Sequence, residues 1–239
     1  SSSINRVFSS VKAVLNLAVR EWDIDVSNPL VGTFIPDVGT RKKRVPFTEP
    51  EILSIQRECR ALDDDKRWLL ALISDTGMRL AEAAGILVGD IRLEEPVPHV
   101  VVRDHPWRRL KTTSSERVIP LVGASLWAAE SVVDHCSDHS KVAFPRYTSS
   151  TATNSNSASA ALNKWLKARV ASGAVVHSFR HSLRDRLRAV GCPSDVADAI
   201  GGWTTSGIGS SYGAGYALEA KAGWLQRIVL DPDQRFEER

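Results

Sequence analysis

Cysteine is scarce in this chain, with three among 239 residues. Cys59, Cys136 and Cys192 are widely spaced and odd in number. No CxxC pair or Cys/His ligand spacing accompanies them, which argues against a disulfide framework or a structural zinc site. Long apolar runs are missing too, as is the layout of a secretory leader, so neither a bilayer-spanning helix nor a signal peptide is expected. These absences point to a soluble protein of a reducing, cytoplasmic compartment with no membrane partner. Net charge is only +3, which excludes a global basic field. Lysine is the sparse cation, 9 Lys against 22 Arg. Arginine's planar fork matches two phosphate oxygens at once, whereas lysine is a point charge; GC-rich coding produces the same skew. No internal repeat is present. What remains is a globular composition, 43% hydrophobic and 25% charged, suited to one large domain, or to one domain and a fragment of another.

Residues 4–22 place Val7, Val11, Val14, Ala18 and Trp22 at helical spacing, and Asn28-Pro29 ends that element. Residues 29–47 read as a linker carrying the run Arg41-Lys42-Lys43-Arg44, either a solvated stretch or a contact to nucleic-acid backbone. Thr48-Glu49-Pro50-Glu51 is a capping box opening a helix to about Leu62. A second helix covers about 65–75, and Thr76-Gly77-Met78 breaks it so that Arg79 starts a third helix. From Pro98 the pattern turns to short strands, expected at 99–103, 107–111 and 117–121. Helices resume near 124–136 and 159–171, and a last one spans about 217–230. The fold class is mainly α (α+β), helical with a small antiparallel sheet.

The densest stretch runs from His177 to Tyr212. Wound as a helix, His177, Arg180, His181, Arg184 and Arg188 share one face, with Phe179, Leu183, Leu187 and Val190 on another. That basic face is either solvated or a grip for phosphate. His177 and His181 at i, i+4 have the spacing of a metal pair. Residue 178 is Ser where a zinc-protease helix needs Glu, and no third ligand is evident, so neither metal nor cofactor is expected. Gly201-Gly202-Trp203 follows, then Tyr212 and Tyr216. Taken singly, each residue has a plain structural role: Arg79 pairing with Glu82, Lys111 beside a turn, Trp203 in packing.

Taken together, four separated pieces resemble the tyrosine recombinases, the phage integrase family. They are Thr76-Gly77-Met78-Arg79 with Glu82, Lys111-Thr112 followed by Arg117-Val118-Ile119-Pro120-Leu121, His177-x-x-Arg180-His181, and Gly201-Gly202-Trp203 with Tyr212 nine residues on. The resemblance covers about residues 45–230. It implies residues 1–28 as the last helix of a mostly missing N-terminal core-binding domain, 29–47 as linker and 48–239 as the catalytic domain. It implies Tyr212 as nucleophile forming a 3′-phosphotyrosyl link, with Arg79 and Arg180 clamping the phosphate. His177 would handle the tyrosine proton, Lys111 would protonate the leaving 5′ oxygen, and Trp203 would donate its indole N–H. Glu82 and His181 would stand behind these groups, while Lys42, Lys43, Arg44 and Arg184 are candidate DNA contacts. The family usually has His where this chain has Trp203. The implied activity is site-specific recombination or integration for a phage or mobile element, without metal. The implied partner is double-stranded DNA, with a homotetramer on DNA and a monomer alone. A type IB topoisomerase-like relaxing enzyme and a catalytically silent DNA-binding module are the alternatives.

Overall fold

The computed structural model describes residues 2–34, 45–112, 115–136, 138–203 and 215–231. It divides into two units, Ser1–Lys43 and Arg44–Arg239. The first is built on one helix, α1 (Ser2–Glu21). Asn28 is nearly buried because its side-chain amide donates to the Lys12 carbonyl (3.1 Å) and to Asn16 Oδ1 (2.6 Å). Its own Oδ1 accepts from Leu30 N (2.9 Å). The Asn28-Pro29 segment thus stops the helix and also folds back along it. Val7, Val11 and Val14 from the apolar stripe are exposed.

The second unit begins with α2 (Glu49–Leu62), α3 (Asp65–Thr76) and α4 (Leu80–Ala84), then a tight turn at Val88–Asp90. Strands β1 (Ile91–Arg92), β2 (His99–Val102) and β3 (Arg117–Pro120) come next, and then α5 (Gly123–His135) and α6 (Ser155–Lys167). It closes with α7 (Ser178–Ala189), α8 (Ser194–Gly201) and α9 (Leu218–Gln226). The Thr48 capping box forms as its sequence demands, with Thr48 N donating to Glu51 Oε2 (2.9 Å). Asp64 caps α3 through Arg67 N. From Trp68 to Thr76 every residue of α3 is buried. A helix buried on all sides has to be the centre of its domain, and α3 lies among α2, α5 and α7. Leu69, Leu72, Ile73, Ile52, Ile55, Phe179, Leu183 and Leu187 fill this core, each side chain contributing roughly 1.5–3 kcal/mol on burial.

One polar knot sits inside that core. Arg186 on α7 donates to Asp75 on α3 (3.1 Å) and to the carbonyls of Ser74 (2.8 Å) and Ile228 (3.2 Å). Asp75 also accepts from Gln56 Nε2 on α2 (3.0 Å) and Ala124 N on α5 (3.1 Å). One buried ion pair therefore ties α3 to α2, α5, α7 and the segment after α9.

The sheet is antiparallel in the order β1-β2-β3, with Val100 opposite both Ile91 and Ile119. The strand expected at 107–111 is not formed. Pro106 offers no N–H, Trp107 turns its indole N–H to the Gly85 carbonyl (3.0 Å), and Leu110 N is taken by the Asp104 side chain. Only the single bridge His105–Arg108 remains there, and Ile91–Arg92 supplies the third strand instead. The helix that follows the Ser/Thr/Asn-rich loop starts at Ser155, earlier than expected, because the Asn154 side chain caps it at Ser157 N (3.0 Å). The last helix packs on the sheet of its own unit, where Lys221 Nζ donates to the Val118 carbonyl (2.8 Å).

Candidate functional site

The site begins at the end of α3. Gly77 has φ +60, and a Cβ there would lie 2.4 Å from Leu183 Cδ2, so both conformation and space select glycine. The turn leaves Arg79 as the residue capping α4. Glu82, one turn later, holds it twice: Arg79 N donates to Oε2 (2.9 Å) and Arg79 Nη1 to Oε1 (2.5 Å). The same carboxylate accepts from Arg117 Nη2 (2.9 Å) on β3. Arg117 also donates to the carbonyls of Ser115 (2.6 Å) and Ile200 (2.9 Å). Burial alone would raise the Glu82 carboxyl; the charge and hydrogen bond of Arg117, with the bonds from Arg79, outweigh it and hold it below the ordinary 4.5. It is ionised at neutral pH, a buried carboxylate made tenable by two cations.

Helix α7 supplies the other side. Arg180 is buried, and it donates to the carbonyls of Gly77 (2.5 Å) and Gly201 (2.8 Å). Those bonds satisfy its nitrogens without neutralising its charge. Burial first, and then the charge of Arg117, push Arg180 down to about 10. It remains a guanidinium at neutral pH, but one that an anion would stabilise. Its Cζ lies 5.1 Å from the centre of the Trp203 ring, and the Cζ of Arg184 lies 4.9 Å from it. The glycine pair makes this closeness possible. A Cβ on Gly201 would sit 2.2 Å from the indole, and one on Gly202, at φ +63, would sit 2.8 Å from Arg117 Nη1.

Contacts thus join Arg79, Glu82, Arg180, Arg184 and Trp203, from segments far apart in sequence. His177 caps α7 with its side chain exposed, and His181, also exposed, lies one turn on with ring centres 5.6 Å apart. Lys111 is exposed on the connection between β2 and β3. The next residue, Thr112, shares a hydrogen bond with Ser115 Oγ (2.9 Å), which in turn accepts from Arg79 Nη1 (2.9 Å). Tyr212, Lys42, Lys43 and Arg44 lie outside the described residues. Tyr216 donates its hydroxyl to Asp195, and that bond raises its phenol above the ordinary 10. Among the described residues no three His, Cys, Asp or Glu side chains gather as a metal set, and no helix is long and apolar enough to cross a membrane.

Two contributors were not singled out from the sequence, Ser115 and Asp198. Arg117 stood out only as part of the segment Arg117–Leu121 that follows Lys111, with no role of its own. Asp198 accepts from Arg184 Nη2 (2.9 Å), and its carbonyl accepts from Trp203 N (3.0 Å).

Solved structures of similar fold include the Tn1549 transposon integrase in complex with a circular intermediate DNA. The match has a TM-score of 0.60 and 18% identity, covering 88% of this chain and 77% of that one. A second structure of that integrase, with transposon right end DNA, gives 0.60 and 18%, covering 93% and 77%. No curated protein sequence matches the chain. The phage integrase family, however, matches residues 46–217, a span that includes Arg79, Glu82, Arg117, Arg180 and Trp203. With its helical domain, small antiparallel sheet and clustered arginines, the chain belongs to that family and is a tyrosine recombinase.

Proposed function

We propose that the chain cleaves and rejoins double-stranded DNA through a 3′-phosphotyrosyl intermediate on Tyr212, in the service of site-specific recombination or integration. The observation that carries this reading is electrostatic. Arg79 and Arg117 share one buried carboxylate, Glu82, and Arg180 stands near it bonded to carbonyls, so the locus holds excess positive charge fixed before any ligand arrives. An anion about 4 Å from one such charge gains about 4 kcal/mol at an effective dielectric of 20. Preorganised cations of this kind stabilise a phosphorane more than a ground-state phosphodiester, because negative charge builds on the non-bridging oxygens. The Tn1549 neighbours are integrase–DNA complexes, which supports the same ligand here.

In this reading the Tyr212 oxygen attacks phosphorus, its proton passing to His177, and the bond from phosphorus to the 5′ oxygen breaks. Lys111 gives that oxygen its proton. Arg79 and Arg180 hold the two non-bridging oxygens while Trp203 donates its indole N–H. Attack by a 5′ hydroxyl on the phosphotyrosine reverses every transfer and reseals a strand, so no external energy is consumed. The arginines supply the charge that a metal ion supplies elsewhere. Tyr216 is the poorer nucleophile, since its hydroxyl is spent on Asp195 and its phenol is harder to ionise. Four copies on paired DNA sites make the exchange, and the free chain is a monomer.

A nicked suicide substrate resolved on a denaturing gel tests this. Protein should stay covalently attached to the 3′ end, in EDTA as well as in magnesium. The adduct should vanish in Tyr212→Phe and persist in Tyr216→Phe. An adduct that survives Tyr212→Phe, or that needs a divalent ion, would overturn the assignment.

A further inference from the structure

We infer that Arg184 is a positioning residue that sets the orientation of the Trp203 indole, with Asp198 as its anchor. Trp203 follows two glycines, the residues that restrain a backbone least, and its ring lies over Gly201, where the neighbouring side chains can set its direction. Two guanidiniums one turn apart on α7 provide them, Arg180 at 5.1 Å and Arg184 at 4.9 Å from the ring centre. They differ in what else they do. Arg180 faces the buried cluster and is bonded to two carbonyls of the site.

Arg184 is paired instead to Asp198, whose side chain is 7% exposed against 40% for that of Arg184. Asp198 is also the residue whose carbonyl receives the Trp203 backbone N–H. One residue of α8 therefore fixes both members of the stack, the indole by its backbone and the guanidinium by its carboxylate. Because Asp198 neutralises Arg184, the stack gains a planar cation over the ring without another uncompensated charge beside Arg180. Arg184, which its exposed place on a basic helix face marks as a phosphate contact, has its Nη2 committed to protein instead.

The role presupposes the cleavage chemistry proposed above, so the test carries one readout that needs no activity. Arg184→Ala, Arg184→Lys, Trp203→Ala and the Arg184→Ala/Trp203→Ala pair are made in the full chain. Denaturation midpoints give the coupling of the two side chains directly, and the two losses should fall short of additive. Single-turnover formation of the covalent adduct, at saturating nicked DNA, gives the functional coupling. Arg184→Ala should slow it about tenfold, the order of one partly desolvated cation–π contact, with DNA affinity unchanged and no further slowing once Trp203 is alanine. Arg184→Lys should not rescue the rate, since it keeps the charge and loses the plane. Additive midpoints, or a defect that lies in affinity and is rescued by lysine, would overturn the inference and make Arg184 a phosphate contact. If the unsubstituted chain forms no adduct, the cleavage reading fails, and the midpoints still decide the stack.

Discussion

Glu82 carries more of the site than its place in a five-residue helix suggests. It accepts from Arg79 twice and from Arg117 once, and its charge also acts on Arg180. With its folded-state carboxyl held below 4.5, its stabilisation is complete above the unfolded value and disappears as pH falls through the lower folded one. Glu82→Gln should therefore cost stability at pH 7, about 3–5 kcal/mol if buried Arg117 and half-buried Arg79 lose their counter-charge. The gap to the unsubstituted chain should narrow steadily below pH 4.5 in denaturant titrations. A gap of constant size from pH 7 to pH 3 would show that Glu82 acts through packing and not through charge. The motif spacing already marked Arg79, Glu82, Arg180 and Trp203 as residues that belong together. Arg117 came with the segment after Lys111 but without a role, because a strand arginine is ordinarily solvated and its partner lies 35 residues upstream on another element.

At the level of elements, boundaries set by local chemistry were legible and boundaries set by tertiary contacts were not. Thr48 with Glu51 fixed the start of α2, and Gly77 fixed the end of α3. The stretch 107–111 has a strand's composition, yet its donors go to Gly85 and Asp104, neither of which the composition of 107–111 reveals. Helix α8 shows the same dependence from the other side. It ends at Gly202 in a left-handed conformation against Arg117, so Gly202→Ala must bear backbone strain of about 1–2 kcal/mol and also displace a buried guanidinium. We expect a lowered thermal midpoint together with slower adduct formation. An unchanged midpoint would mean that Arg117 can move aside freely, which would remove it from the framework of the site.

At the scale of the whole second unit, the helices are drawn together by Asp75 and Arg186. A mainly helical domain around a buried third helix could be read from periodicity and apolar runs. The ion pair inside it could not, since Arg186 lies on a helix rich in arginine and differs from Arg184 and Arg188 only in which way it points. Arg186→Leu leaves Asp75 buried without its cation, and should cost about 3–5 kcal/mol, seen as a lower urea midpoint with unchanged slope. A loss below about 1 kcal/mol, the size of an exposed pair, would show that Gln56 and the Ala124 amide suffice for Asp75.

The hydrogen bonds of Arg180 reach back 103 residues to Gly77 and forward 21 to Gly201, while Arg117 reaches 83 residues to Ile200. A ribosome adds about 5–20 residues per second, so Arg79 emerges several seconds or more before the segment that completes its surroundings. During synthesis the chain displays the site's first arginine with no pocket to put it in, because Arg117, Arg180 and the carbonyls of Ile200 and Gly201 belong to a stretch still untranslated. Competence to break a strand is thereby deferred until α8 has left the exit tunnel and folded back. A nascent recombinase, tethered beside whatever nucleic acid surrounds it, carries the means of cutting only as unassembled parts.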